Sequence, residues 1–241
     1  MTHSAHSPGE SVDHHTKPAD AAVYARRRQQ LAARLPGHPA SLVSAGVHRE
    51  RNYAANTYDF RAGSHFIYLT GLQLPGAQLL LSTDASAGGG QAGPQRAELF
   101  VPPPAPDDAL WHGEIPGFAD LQALTGVEAV RPLPELKARL AALPACAHLP
   151  LPAHPSELDE QLAHAMIDQR LRHDDEAIRQ IRRAAAVTVS AHLAGMRATR
   201  PGVRVSAVRA AMEHPIQAAD FTTAYTSIVT TRGEVLHCHS R

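Results

Sequence analysis

The sequence predicts an α/β domain over residues 21–150, followed by a second unit that opens with long helices. Three observations carry that reading. Short apolar segments bounded by turn residues recur through the first half of the chain. A proline-rich stretch then interrupts it near residue 150, and helical periodicity dominates the remaining third of the chain. With 241 residues, 44% of them apolar, the chain has the material for a real core.

Residues 1–20 hold no apolar run and read as a solvated, disordered tail whose histidines stay in water. The first helix follows in AAVYARRRQQLAARL, where Val23, Leu31 and Leu35 sit among strong helix formers and the sequence PGHP stops it. Arg26, Arg27 and Arg28 read as its solvated face. The segments 41–46 (SLVSAG), 65–71 (HFIYLTG), 77–82 (AQLLLS) and 97–102 (AELFVP) read as strands. Their near-continuous apolar character predicts a central sheet covered on both faces. The stretch 87–94 (AGGGQAGP) has the composition of a flexible loop, and helices near 117–125 and 134–142 supply the cover.

The stretch 143–155 (LPACAHLPLPAHP) is too rich in proline for a helix and leads out of the domain. Residues 151–170 are expected to be a linker and a connecting helix, started by an acidic capping box of Ser156 and Asp159. Residues 171–241 form the next unit. Asp174, Asp175 and Glu176 place negative charge in a first helical turn, and Ile178, Ile181, Ala185, Val189, His192 and Met196 then recur at helical spacing until Pro201-Gly202. His192 on that face reads as a core histidine rather than a ligand. A helix over 205–214 and a strand in TTAYTSIVTTRGEVLH, turning at Gly233, complete the reading.

Composition excludes several classes of function. Lysine plus arginine and aspartate plus glutamate number 23 each, so no basic field is available to hold nucleic acid. The two cysteines, Cys146 and Cys238, cannot build a disulfide scaffold. No apolar run approaches the roughly 18 residues a membrane span needs. The first 20 residues lack the apolar core of a secretory signal, which leads to the expectation of a cytoplasmic protein. Ser64 and Ser227 lie in no Gly-x-Ser-x-Gly elbow, and no glycine-rich phosphate loop is present.

Two stretches carry a resemblance. The first places Arg61, Ser64, Phe66, Tyr68, Thr70, Gly71, Pro75 and Ala77 in order, with Trp111 and Gly113 further on. The second runs from an acidic helix start through Arg200-Pro201-Gly202 and a Tyr-x-Ser-Ile-Val segment to the pair Leu236-His237. Both resemble the Xaa-Pro aminopeptidase (aminopeptidase P) family. The resemblance implies an N-terminal mixed sheet flanked by helices over 21–150. It also implies the opening, over 171–241, of a pita-bread catalytic domain that is incomplete here. It further implies removal of an N-terminal residue that precedes proline, by two divalent ions, commonly manganese. The family's metal ligands would all lie downstream of His237, so the chain is expected to be a shortened form that binds no catalytic metal pair and is inactive alone.

By resemblance His237 is the family's substrate- or transition-state-binding histidine. Trp111 either lines a substrate pocket or subunit contact or is an ordinary packed aromatic. His237, Cys238 and His239 also admit a soft metal site, but no second ligand pair stands at matching spacing. The partners implied are a peptide with proline second and further copies of the chain. Two alternatives stand beside the peptidase reading: a non-catalytic binding or oligomerisation module, and a proline dipeptidase or creatinase-like hydrolase of the same fold.

Overall fold

The computed structural model describes residues 20–83, 95–104, 110, 113 and 116–237. The expected tail up to residue 19, the loop at 87–94, Trp111, Cys238 and His239 lie outside the described residues. The chain divides into two units, with the boundary between Arg172 and His173.

The first unit opens with helix α1 (Ala21–Arg34), whose N-cap Asp20 accepts from the Ala22 amide. Strand β1 (Ala40–Ser44) follows, then an exposed hairpin of β2 (Glu50–Tyr53) and β3 (Asn56–Thr57), and helix α2 (Ser64–Thr70). Strands β4 (Gln78–Thr83) and β5 (Gln95–Val101), helix α3 (Phe118–Thr125) and strand β6 (Ala129–Pro132) come next. A short 3-10 turn (Leu133–Glu135), helix α4 (Leu136–Ala141), strand β7 (Ala147–Leu149) and helix α5 (Glu157–Arg170) complete the unit.

The five long-range strands form one mixed sheet in the order β6-β5-β4-β1-β7. The three central strands are antiparallel neighbours, and each edge strand joins in parallel. Because side chains alternate across a strand, β4 sends Leu79 and Leu81 to one face and Leu80 to the other. The first face carries the larger core, where Leu31, Phe66, Leu69, Leu99, Leu121, Leu162 and Met166 meet from α1, α2, α3 and α5. On the second face Leu80 and Phe100 pack under Leu133, Leu136 and Leu140. The sheet is thus covered on both sides, as its apolar strands require.

Several elements differ from the sequence reading. Residues 65–71 are a helix, not a strand. Phe66, Leu69 and Thr70 bury at helical spacing, and Gly71 ends the helix in the left-handed conformation. The proline-rich exit contains β7, whose Ala147 and Leu149 are buried against β1. The helix expected to connect domains contributes Leu162 and Met166, both fully buried, to the larger core. Its capping box forms as expected: the Asp159 amide donates to Ser156 Oγ at 3.3 Å, and Asp159 Oδ2 accepts from the Ser156 amide at 2.7 Å.

The second unit holds helix α6 (Asp175–Ala198), capped by Asp174, and helix α7 (Val205–Ala218). They meet where Val187, Ala191 and Gly195 bury on α6. A Cβ on Gly195 would stand 2.6 Å from Met212 Cγ. Helix α7 continues through Pro215, beyond its expected end, and closes with the Phe221 amide donating to the Ile216 carbonyl and Asp220 at φ 58°. The strand expected over 222–237 is absent among the described residues. Its β-branched residues have no ladder partner there, and side-chain preference alone does not hold an extended chain in a sheet.

Candidate functional site

The first signature stretch builds structure. Arg61 Nη1 donates to Ser64 Oγ at 3.1 Å across the start of α2, and Phe66 is fully buried below it. The Tyr68 ring takes the Arg27 guanidinium 4.2 Å from its centroid and that of Arg170 at 5.5 Å, while its hydroxyl accepts from Gln169 Nε2 at 3.3 Å. Thr70 Oγ1 donates to the Phe66 carbonyl at 2.8 Å and accepts from the Leu72 amide at 3.1 Å. A Cβ on Gly71, at φ +73°, would lie 2.2 Å from the Tyr24 hydroxyl oxygen. Ala77 is buried and its carbonyl accepts from the Ala45 amide at 2.9 Å. These residues start a helix, stop it and turn the chain into β4.

Arg27 and Arg28, expected on a solvated face, are 6% and 3% exposed. Arg28 donates to the Leu69 carbonyl at the end of α2, and to the Thr125 and Gly126 carbonyls at the end of α3. One guanidinium thereby satisfies the orphan acceptors of two helix C-termini, where the helix dipole favours positive charge. Burial pulls the Arg28 pKa down to about 10, against a smaller upward pull from Glu128. The clue was in the sequence: Leu-Thr-Gly occurs at 69–71 and again at 124–126, and both threonines bond back one turn in the same way.

A second buried charge lies on the other face of the sheet. Glu98, 1% exposed, accepts from Arg131 Nε at 2.9 Å and Arg139 Nε at 2.7 Å. Burial alone would raise its pKa, but the hydrogen bonds and charges of Arg139, Arg131 and Arg96 hold it below the ordinary carboxylate value.

The second signature stretch is differently placed. His237 is exposed at the end of a turn region in which the Val235 amide donates to the Arg232 carbonyl at 3.0 Å. Glu213 on α7 accepts from Arg209 at 2.7 Å, and its pKa is held down first by the Ser227 hydroxyl and then by Arg209. A groove of about 750 Å³ runs along α6 between Ile178, Arg182, Val187 and Phe221. Among the described residues no three His, Cys, Asp or Glu side chains come together to hold a metal ion. Nor is any helix among them long and apolar enough to cross a membrane.

A family model described as aminopeptidase P, N-terminal domain, matches residues 24–148, more than half of the chain. The chain belongs to the aminopeptidase P family. It is 34% identical over 131 residues to Xaa-Pro aminopeptidase 3 of Rattus norvegicus, a match covering 50% of this chain and 24% of that protein. A probable Xaa-Pro aminopeptidase of Aspergillus terreus is 31% identical, with 53% of this chain and 26% of that one covered. The chain thus spans about a quarter of the length of the curated relatives it matches. Among solved structures, a putative aminopeptidase P from Bacillus anthracis shares the fold with a TM-score of 0.70 at 16% identity, over 85% of this chain and 53% of its own. Aminopeptidase P from E. coli follows at 0.68 and 21%, over 82% and 49%. The mixed sheet flanked by helices is accordingly an aminopeptidase P N-terminal fold.

Proposed function

We propose that these residues serve an Xaa-Pro aminopeptidase, which releases an N-terminal residue preceding proline, and that they supply its N-terminal domain and the first helices of its catalytic domain. The observation that carries this reading is the family match over 24–148, with the second signature stretch following in the family's order. In this reading His237 is the imidazole that hydrogen-bonds substrate. Two manganese ions, held by carboxylates and a histidine outside these 241 residues, would supply a hydroxide at neutral pH. The 241 residues are then inactive by themselves. The test is hydrolysis of an X-Pro-containing tripeptide with manganese added. Turnover by the purified 241-residue chain contradicts the assignment of the ligands. In a polypeptide extended by the family's remaining catalytic segment, turnover that survives His237→Ala undiminished contradicts the role of His237. A dipeptide-against-tripeptide comparison on that extended protein separates an aminopeptidase from a proline dipeptidase.

A second reading, an assembly module, is favoured by one observation: α6 presents Ile181, Val189, Leu193 and Met196 to solvent, 44–73% exposed. Association of the chain with itself would support it, measured by sedimentation.

A further inference from the structure

The turn after α1 builds a cleft within the first unit. The Leu35 amide donates to the Ala32 carbonyl at 3.0 Å and the His38 amide to the Leu35 carbonyl at 3.1 Å, while Gly37 takes a φ of +76° that favours glycine. The chain thereby doubles back and sets His38 beside the end of α1. On α5, Gln161, His164 and Asp168 recur at i, i+3 and i+7 and share one face of that helix. The two elements line a cavity of about 540 Å³, within the range of small-molecule sites.

The lining is of three kinds. Arg34 and Asp168 bring opposite charges to the same cavity, and among the described residues neither has an ion pair or hydrogen bond. Leu35, Pro36 and Ala165 supply an apolar wall. His38 stands where the cleft meets a smaller cavity of about 90 Å³. Both of its ring nitrogens are buried without a hydrogen bond, which costs free energy that a polar occupant would recover. The Ala40 backbone raises the His38 pKa from outside bonding geometry, yet burial keeps it below 6.5, so the neutral ring offers one donor and one acceptor.

These features select an occupant. A simple anion would face Asp168 and a simple cation would face Arg34, each at a cost. A molecule with both a carboxylate and an ammonium answers both charges, and a short apolar side chain on it covers the wall.

We infer that this cleft binds a free α-amino acid with an apolar side chain, its carboxylate on Arg34 and its ammonium on Asp168. The inference does not rest on the peptidase reading, although the residue such an enzyme releases belongs to this class.

The test is a titration of the nitrogen-15-labelled 241-residue chain, followed by its amide resonances. Three probes are used: L-leucine, leucinamide, which lacks the carboxylate, and N-acetyl-leucine, which lacks the ammonium. Saturable shifts are expected at Arg34, His38 and Asp168, with L-leucine bound about tenfold more tightly than either derivative, the scale of one exposed charge-assisted hydrogen bond. Arg34→Gln is expected to weaken L-leucine by about tenfold and to leave leucinamide unchanged, and Asp168→Asn to do the same with N-acetyl-leucine spared. Both side chains are exposed, and circular dichroism checks that the variants fold as the parent does. The absence of saturable shifts at the cleft, a derivative that binds as tightly as L-leucine, or L-leucine affinity that survives both substitutions overturns the inference. None of these outcomes touches tripeptide hydrolysis, so the peptidase reading stands or falls separately.

Discussion

Arg28 holds the Gly126 carbonyl at 2.6 Å, joining α1 to the end of a helix almost a hundred residues away. The same guanidinium reaches the Leu69 and Thr125 carbonyls at 2.9 Å each. A planar fork serves three acceptors in a way that an ammonium point charge on a flexible stem does not. Arg28→Lys is therefore expected to cost about 2 kcal/mol and Arg28→Met about 3 kcal/mol of unfolding free energy, since the latter strands buried acceptors. Urea denaturation followed by circular dichroism measures both; a loss near zero for Arg28→Met would mean that the guanidinium does not join α1, α2 and α3.

The two Thr-Gly stops respond unequally to alanine. Gly71 and Gly126 both have positive φ, which costs any L-residue roughly 1 kcal/mol. At Gly71 the new methyl also collides with Tyr24, whereas at Gly126 its nearest neighbour is the Ala21 carbonyl at 3.2 Å. Gly71→Ala is expected to destabilise by about 3 kcal/mol and Gly126→Ala by about half of that. Equal midpoint shifts in thermal unfolding would contradict the collision.

Helix α5 belongs to the first unit's core, so its residues should behave as core residues. Met166→Ala is expected to cost about 3 kcal/mol, the range for truncating a fully buried side chain. The exposed Ile167→Ala on the same helix is expected to cost well under 1 kcal/mol. A connecting helix outside the core would show no such contrast.

Acid should weaken the fold in stages. Burial is the largest influence on His38 and keeps its pKa below 6.5, outweighing upward pulls from the Ala40 backbone and Asp159. The unfolded chain then binds the proton more readily, and stability falls as pH drops below 6.5 toward the lower folded value. His38→Leu should reduce that first stage, to which His65, also held below 6.5 by burial and then by Arg170, contributes. Glu98 and Asp159 act lower down. Burial favours protonation of both, but their hydrogen bonds win, setting Asp159 at about 2 and Glu98 below 4.5. Their contributions are complete above the unfolded carboxylate values and disappear as pH falls through the folded ones. Unfolding free energy measured from pH 8 to pH 3 checks the order of the stages.

Cys146 should be slow to alkylate. Burial, with a smaller push from Asp159, raises its thiol pKa to about 11, so very little thiolate is available at neutral pH. Iodoacetamide labelling located by peptide mass spectrometry is expected to modify Cys146 mainly after unfolding. Rapid labelling of the folded protein at this half-buried position would contradict the raised thiol pKa.

Much of this architecture was readable from local pattern. The largely apolar runs at 41–44, 78–82 and 97–101 became strands because a sheet covered on both sides favours apolar residues on both of its faces. Asp174 and the Ser156–Asp159 box announced their helices because capping is a local bond. The elements that escaped depend on distant residues. Strand β7 is three residues long in a proline-rich context, and only the edge of β1 makes it a strand. Helix α2 looks extended because Phe66, Ile67 and Tyr68 favour strands locally, and only the core beneath Phe66 and Leu69 decides otherwise. Arg27 and Arg28 looked solvated because their carbonyl partners lie roughly forty to a hundred residues downstream. Of the candidate site, His237 was legible only by resemblance, since nothing in its spacing distinguishes it from a surface histidine.

The parallel pairing of β1 with β7, and the seating of Leu162 and Met166 beneath the same sheet, bear on how the protein is made. A ribosome that has released the first 140 residues has released a sheet lacking one edge and a core lacking its floor. Closure waits for the last turns of α5, more than a hundred residues after β1 was synthesised. Until then the nascent chain offers Leu79, Leu81 and Leu99 to whatever chaperone is nearest, which makes the interval between translating α4 and α5 the period of greatest exposure to misfolding.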